Sequence, residues 1–363
     1  MKQSKLVAAL AVVGLAAAAC GSKPVSTNSG SSAGASASAG SAGSSFTACM
    51  VTDTGGIDDH SFNSAAWAGM QKAQSDGKAT VSYVQSTTAN QYASNISSLL
   101  TKNCKLIVTV GGLMADATGA SAKTHTSQDY AIVDSGSVPP NVKGLQFNTA
   151  QGAFLGGYLA AGYSKSGKVA TFGGLNIAPV TVYMDGFWEG VQYYNSKHGT
   201  HVQVLGWNET TQQGSFAQSF TDQNVGKQLT QGFQSQGADI VFPVAGGTGL
   251  GALAQAQQSN GAMNAIWVDT DGFTAAPQYA SVLITSVLKG ISDAVTKAVE
   301  DSSSGNFSAT SYVGTLANGG TGLAPFHNFD GKIPASLTAE LDTVKQGIIS
   351  GTITIKSKAQ PTG

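Results

Sequence analysis

Short apolar runs separated by helix-length segments set the pattern of this chain. The runs fall at residues 47–51, 80–84, 106–110, 131–133, 144–147, 168–172, 202–206, 240–244, 265–268 and 282–286. Runs this short, bounded by polar and glycine residues, predict strands. Between most of them apolar positions recur three and four residues apart. Phe62, Ala65, Ala66, Gly69, Met70 and Ala73 form one such stripe, a spacing that predicts an amphipathic helix. Similar stripes cover residues 92–100, 154–163, 186–194, 225–233 and 250–257. Strand–helix alternation predicts parallel sheets with helices on both faces. The strands are too many for one small sheet. The fold class is therefore α/β, with two doubly wound lobes, and ligands bind such sheets outside the carboxyl ends of the strands.

That rule selects candidate residues. The first run is followed by Asp53-Thr-Gly-Gly-Ile-Asp58-Asp59-His-Ser-Phe62-Asn63, and the third by Gly111-Gly112. Residues 240–244 lead into Ala245-Gly246-Gly247-Thr248-Gly249, and residues 265–268 into Asp269-Thr270-Asp271. Glycines there let backbone N–H groups approach a ligand closely. Asp53 suits a ligand contact; the competing role is a cap for the helix starting near Ser61. With Asp58 and Asp59 beside it, not all three can cap. Phe62 is either a wall of the ligand site or the first core residue of its stripe. Phe220 lies in a Gln/Ser/Thr-rich stretch; it is a second wall or one half of a helical core pair with Phe216. Asp269 and Asp271 straddle Thr270, and only one of them need face the cleft. Asp271 is the one expected to face the cleft. Lys289 faces either the cleft or solvent.

Ahead of residue 46 the pattern changes. Lys2 and Lys5 precede an apolar run, residues 6–19, that stops at Cys20. Residues 1–19 read as a signal peptide, the run being shorter than the roughly twenty residues that span a bilayer. A Cys just after small residues reads as a lipoprotein site, although Ala17 stands where Leu is usual; cleavage and plain secretion is the alternative. Residues 20–45 then comprise the lipidated Cys20 and a Gly/Ala/Ser tether, a flexible coil with a reach of about 25–30 Å.

Composition narrows the partners. A net charge of −1 provides no field to hold nucleic acid. Of the three cysteines, Cys49 and Cys104 remain as an even pair, one at the start of the first strand run and one just before the third. In an oxidising compartment they read as a disulfide, two buried thiols being the alternative. The five histidines lack zinc-site spacing, so no metal and no cofactor is expected. Gly246-Gly247-Thr248-Gly249 invites an anion at a helix N-terminus, but the neighbouring aspartates would repel one. Neutral ligands are favoured over nucleotides.

Several stretches together resemble the basic membrane protein family of bacterial lipoproteins. They are Val51-Thr-Asp53-Thr-Gly-Gly-Ile-Asp-Asp-His-Ser-Phe62-Asn-Ser-Ala-Ala-Trp67-Ala-Gly69, Phe154-Leu-Gly-Gly-Tyr-Leu-Ala-Ala161, Tyr183-Met-Asp-Gly-Phe187, Gly237-Ala-Asp-Ile-Val-Phe-Pro-Val-Ala-Gly246 and Val268-Asp-Thr-Asp271. The resemblance implies a type I periplasmic-binding fold, with two lobes joined by a hinge. It implies the substrate-binding lipoprotein of an ABC importer, capturing a nucleoside, mostly purine, and delivering it to separate permease and ATPase chains. The protein is then a monomer held by its lipid on the extracytoplasmic face of the cell membrane.

Carried onto this sequence, Asp53 accepts a hydrogen bond from the purine edge, and Phe62 and Phe220 form walls against the base. Gly246 and Asp271 hold the ribose hydroxyls with help from Lys289. Asp58, Asp59, Asn63 and Gly112 are further candidates. One family contact falls near residues 111–116. Another falls near residues 149–151, where Ala150 leaves no acidic group. The expected lobes are residues 46–148 plus 288–313, and 149–287 plus 314–363. The alternatives are a binding protein for a sugar or signal molecule and a surface nucleoside hydrolase; for the latter no nucleophile–base pair is visible.

Overall fold

The computed structural model describes residues 45–361. The expected signal peptide, Cys20 and the tether up to residue 44 lie outside the described residues. The chain begins with β1 (Thr47–Thr52), α1 (Phe62–Ser75), β2 (Thr80–Val84), α2 (Tyr92–Thr101), β3 (Leu106–Val110), α3 (Ala115–Thr124), β4 (Asp129–Val133) and β5 (Val142–Phe147). It continues through α4 (Thr149–Tyr163), β6 (Lys168–Gly173), α5 (Ala178–His198), β7 (Gln203–Leu205), β8 (Trp207–Asn208), β9 (Gln213–Gly214) and α6 (Gln223–Ser235). Then come β10 (Ile240–Val244), α7 (Gly249–Gln258), β11 (Asn264–Asp269), α8 (Gly272–Ala275) and β12 (Leu283–Lys289). The last elements are α9 (Ile291–Ser303), β13 (Tyr312–Gly314), β14 (Thr321–Leu323) and α10 (Ala335–Ile349).

These strands form two six-stranded sheets, β13-β5-β4-β3-β1-β2 and β14-β12-β11-β10-β6-β7. The first is parallel throughout. The second is parallel except for β14, which pairs antiparallel with β12. Parallel sheets are covered on both faces, so their strands read as unbroken apolar runs. That is why β3 and β10 are buried at every position. In the first lobe, Met50, Leu106 and Val108 pack on one face with Met70 and Val295 from α1 and α9. Val51 and Ile107 pack on the other with Ile96 and Leu99 from α2.

The second lobe is organised by α4, which is buried almost all round and so shows no single apolar stripe. It crosses α5 backbone to backbone. A Cβ at Gly157 would lie 2.0 Å from the Phe187 carbonyl oxygen, and one at Gly190 would lie 2.0 Å from that of Phe154. This contact sets the position of α5, whose first turns carry Pro179, Val180 and Tyr183 to the cavity described below.

The chain passes between the lobes at Asn148, at Gly290 and at residues 315–320. The crossing segments are tied to one another: Asn148 N–H donates to Gly314 O at 2.7 Å, and Gly290 N–H donates to Gly320 O at 2.9 Å. Because β12 runs to Lys289, the middle crossing lies at Gly290 rather than before residue 288. The first lobe therefore holds β1–β5, α1–α3, α9 and β13, and the second holds the remainder.

Cys49 and Cys104 form a disulfide with a Cα–Cα distance of 5.8 Å and a sequence separation of 55. It fastens β1 to the turn that enters β3. Closing a loop of this length restricts the unfolded chain, so replacing both cysteines by Ala should lower stability by about 2–4 kcal/mol. Chemical denaturation of the variant, and of the parent protein under reducing conditions, should show the same downward shift of the midpoint. Unchanged midpoints would remove the disulfide as a contributor.

Candidate functional site

Both sheets point their carboxyl ends at a single cavity of about 560 Å³, mouth included. In the first sheet the strand order turns between β1 and β3, and in the second between β6 and β10. Loops diverge at such switch points and leave a crevice. Asp53 follows β1, Gly111 and Gly112 follow β3, and Asp134 follows β4. From the second lobe, Gly246 follows β10, and Asp269 and Lys289 end β11 and β12.

Asp53 is buried against Asn63, whose amide nitrogen donates to Oδ1 at 2.8 Å, and Gly55 N–H donates to the same oxygen at 2.9 Å. Among the described residues Oδ2 takes no hydrogen bond. Burial, partly offset by the Asn63 and Gly55 hydrogen bonds, raises the carboxyl pKa to about 6. Gly111, at φ 122°, lies against this oxygen; a Cβ there would approach Oδ2 to 2.9 Å.

Asp59 does the capping that competed for Asp53. Its Oδ1 accepts N–H bonds from Ser61 and Ser64 at 3.0 Å each, and its Oδ2 accepts one from Asn63 at 2.7 Å. These satisfy the open N–H groups of the first turn of α1. Asn63 also lines the cavity, but its side chain is spent between the two carboxylates, donating to Asp59 at 3.2 Å as well as to Asp53. Asp58 is exposed and stands outside the cavity; with Asp59 capping the helix, nothing draws it inward.

Phe62 and Phe220 line the cavity from opposite lobes. Phe220 belongs to no helix, which removes the core pairing with Phe216. Its loop runs beside the end of β6: Ala217 N–H donates to Gly173 O at 2.9 Å, and Thr248 N–H donates to Phe220 O at 3.1 Å. Phe216 turns away to meet Trp207 edge-on at 5.9 Å.

Asp271 requires a correction. The carboxylate lining the cavity belongs to Asp269. β11 ends at Asp269 in the left-handed region, φ 66°, so strand alternation no longer applies beyond it. Asp271 instead caps α8, accepting Phe273 N–H at 3.1 Å, and meets His327 Nε2 at 2.7 Å. Asp269 accepts Tyr183 O–H at 2.6 Å on Oδ1 and Ser61 O–H at 2.6 Å on Oδ2. Burial and the adjacent carboxylate hold the Tyr183 phenol well above its ordinary pKa, so it remains a donor.

Lys289 is buried and pairs across the cleft with Asp134 at 2.5 Å. Its ammonium lies 4.8 Å from the Phe62 ring centre and 5.7 Å from that of Tyr183, within cation–π range. Burial pushes Asp134 above the ordinary carboxylate range despite Lys289 beside it. Asp134 and Tyr183 are the polar cavity residues that sequence reasoning missed, beside apolar ones such as Ile177, Pro179 and Val180. The signal was available: Asp134 follows an apolar strand run as Asp53 does. Of the two unplaced contacts, residues 111–113 line the cavity, while residues 149–151 do not; Gln151 turns to Leu316 N–H at 2.8 Å.

Two doubly wound lobes closed on one cavity define a type I periplasmic-binding fold. Its solved likenesses include an ABC transporter solute-binding protein from Aeropyrum pernix K1, 24% identical with a TM-score of 0.77, covering 87% of this chain and 94% of that one. Another, from Conexibacter woesei DSM 14684, is 20% identical with a TM-score of 0.65, covering 87% and 100%. The chain belongs to the Bmp family, described as ABC transporter substrate-binding protein PnrA-like, whose profile matches residues 46–358. Similar relatives are the ABC transporter nucleoside-binding protein BmpA of Lactococcus lactis subsp. cremoris, 28% identical over 89% of this chain and 93% of the relative, and basic membrane protein A of Borreliella burgdorferi, 28% identical over 88% and 91%. The CD4+ T-cell-stimulating antigen of Listeria innocua is 29% identical over 99% and 100%. This chain is thus an ABC transporter substrate-binding protein, with permease and ATPase subunits as partners.

Gly111 offers a test of the site's construction. Its Cβ-intolerant backbone and the adjacent carboxylate predict that Gly111→Ala costs about 1–3 kcal/mol. A thermal melt indistinguishable from that of the parent protein would contradict this.

Proposed function

We propose that this protein captures a nucleoside, preferentially a purine nucleoside, between its lobes and delivers it to the permease. The observation that carries the reading is the division of one cavity between the lobes. Asp53 and Phe62 come from the first, and Phe220, Gly246, Asp269 and Lys289 from the second. In this reading the two aromatic rings take the faces of the base, a contact worth about 1–3 kcal/mol per ring. The open oxygen of Asp53 accepts an N–H from the base edge, a charge-assisted bond of about 1.5–3 kcal/mol. Asp269, Lys289 and the backbone of Gly246 hold the ribose hydroxyls. A 5′-phosphate would enter a cavity lined by four aspartates, Asp53, Asp59, Asp134 and Asp269, whose one lysine is already paired, so nucleotides are rejected. Binding and hinge closure need no reacting group. The name of the Lactococcus relative points the same way.

Calorimetry on ligand-stripped protein, titrated with adenosine, guanosine, inosine, cytidine, uridine, ribose and AMP, tests this. A purine nucleoside should bind at micromolar or tighter Kd and AMP should not. Heat from ribose alone would move the assignment to sugars. Because Asp53 must be ionised to accept, affinity is full only well above its pKa of about 6 and falls as pH drops through it. Between pH 7 and pH 5 the loss should be about tenfold, and Asp53→Asn should bind weakly with no such step.

We further propose that Cys20 carries the lipid that holds the protein on the extracytoplasmic face. The apolar run ending in small residues before Cys20, and the Gly/Ala/Ser stretch after it, support this. Metabolic labelling with an alkyne fatty acid should mark the parent protein and not Cys20→Ser; equal labelling of both would refute it.

A further inference from the structure

The loop between β1 and α1 does more than carry Asp53 and Phe62. Between those two residues, His60 and Ser61 reach across to the second lobe and make four hydrogen bonds with it. The His60 ring Nδ1–H donates to the Ala275 carbonyl at 2.5 Å. The His60 carbonyl accepts Thr270 Oγ1–H at 2.8 Å and Trp267 Nε1–H at 3.2 Å. Ser61 Oγ–H donates to Asp269 at 2.6 Å. His60 adopts the left-handed region, φ 56°, which turns its ring and its carbonyl onto the same neighbour.

Both sides of this junction are stiff. On the first lobe, Asp59 fixes the loop through its N–H bonds to Ser61, Asn63 and Ser64. On the second, Trp267 is fully buried. Helix α8, which presents the Ala275 carbonyl, is capped by Asp271. Asp271 is held by His327, whose ring stacks on Phe273 at 4.0 Å and 11°. Asp271, displaced from the cavity, thus steadies the surface that His60 grips.

We propose that His60 is a positioning residue: with Thr270 and Trp267 it latches the Asp53–Phe62 loop onto the second lobe and sets how fast the closed protein releases its ligand. The latch lies at the rim and touches residues on both sides of the cavity without lining it. It rests on the substrate-binding role of the fold and not on which ligand is bound. Opening the lobes must break these bonds together. Removing them should speed release and should not slow capture, which begins from the open form.

The test uses the full-length protein carrying His60→Asn and Thr270→Val. Asn tolerates left-handed backbone but is too short to reach Ala275, and Val keeps the shape of Thr without its donor. Solution X-ray scattering of ligand-stripped protein should show a larger radius of gyration in the variant. Stopped-flow measurement with adenosine should show release about tenfold faster, with association no slower and the melting temperature unchanged. Thr270→Val alone, which leaves the loop sequence intact, should shift both readings in the same direction. Scattering and release that match the parent protein in both variants overturn the latch. Should the parent protein bind none of the nucleosides named above, the nucleoside assignment falls, and the scattering comparison still decides the latch.

Discussion

The ion pair between Lys289 and Asp134 is the constraint around which the cavity is arranged. Both side chains are almost wholly buried, at 3% and 7% exposure, and they come from different lobes. Among the described residues lining the cavity, Lys289 is the one cation, set among Asp53, Asp59, Asp134 and Asp269. Burying one carboxylate without a partner is costly, and burying several together multiplies the demand. Each is answered differently. Asp134 has the ammonium, Asp59 the N–H groups of a helix start, and Asp269 two hydroxyls. Asp53 keeps one oxygen open. The carboxylate with an unfilled position is also one whose proton affinity burial has raised to about 6, which is the behaviour expected of a group whose missing partner is a ligand.

Much of this architecture was readable in the chain, for a physical reason. Strands buried on both faces leave unbroken apolar runs, and β3 and β10 have the bounds those runs have. Helices with one buried face leave a stripe, as α1 does. Elements outside these rules were missed: β13 and β14 have three residues each, too few to show a period. The apolar positions Ile291, Ala294, Val295 and Ala298 of α9 do form a stripe, the same spacing that marks α1.

The site was legible wherever the rule about strand ends was applied and silent where it was not. It located Asp53, Gly112 and Gly246. The same rule points to Asp134, directly after β4. Alternation cannot separate Asp269 from Asp271, since residues two apart share a face; it is the left-handed backbone ending β11 at Asp269 that carries Asp271 away to cap α8. Tyr183 could not be found from its own surroundings. It lies in a helix, and its role depends on α4 and α5 touching through glycines.

The threefold passage of the chain between lobes imposes an order of assembly. The first sheet lacks its edge strand until residue 314 has been made, although β1 to β5 are complete by residue 147. The second lobe is interrupted in turn, since β14 and α10 follow the return to the first. Neither half is a continuous stretch that could mature while the other is still emerging. A chain delivered from its amino end therefore carries an unfinished first half until nearly the whole polypeptide has arrived, with native contacts of long sequence separation forming last.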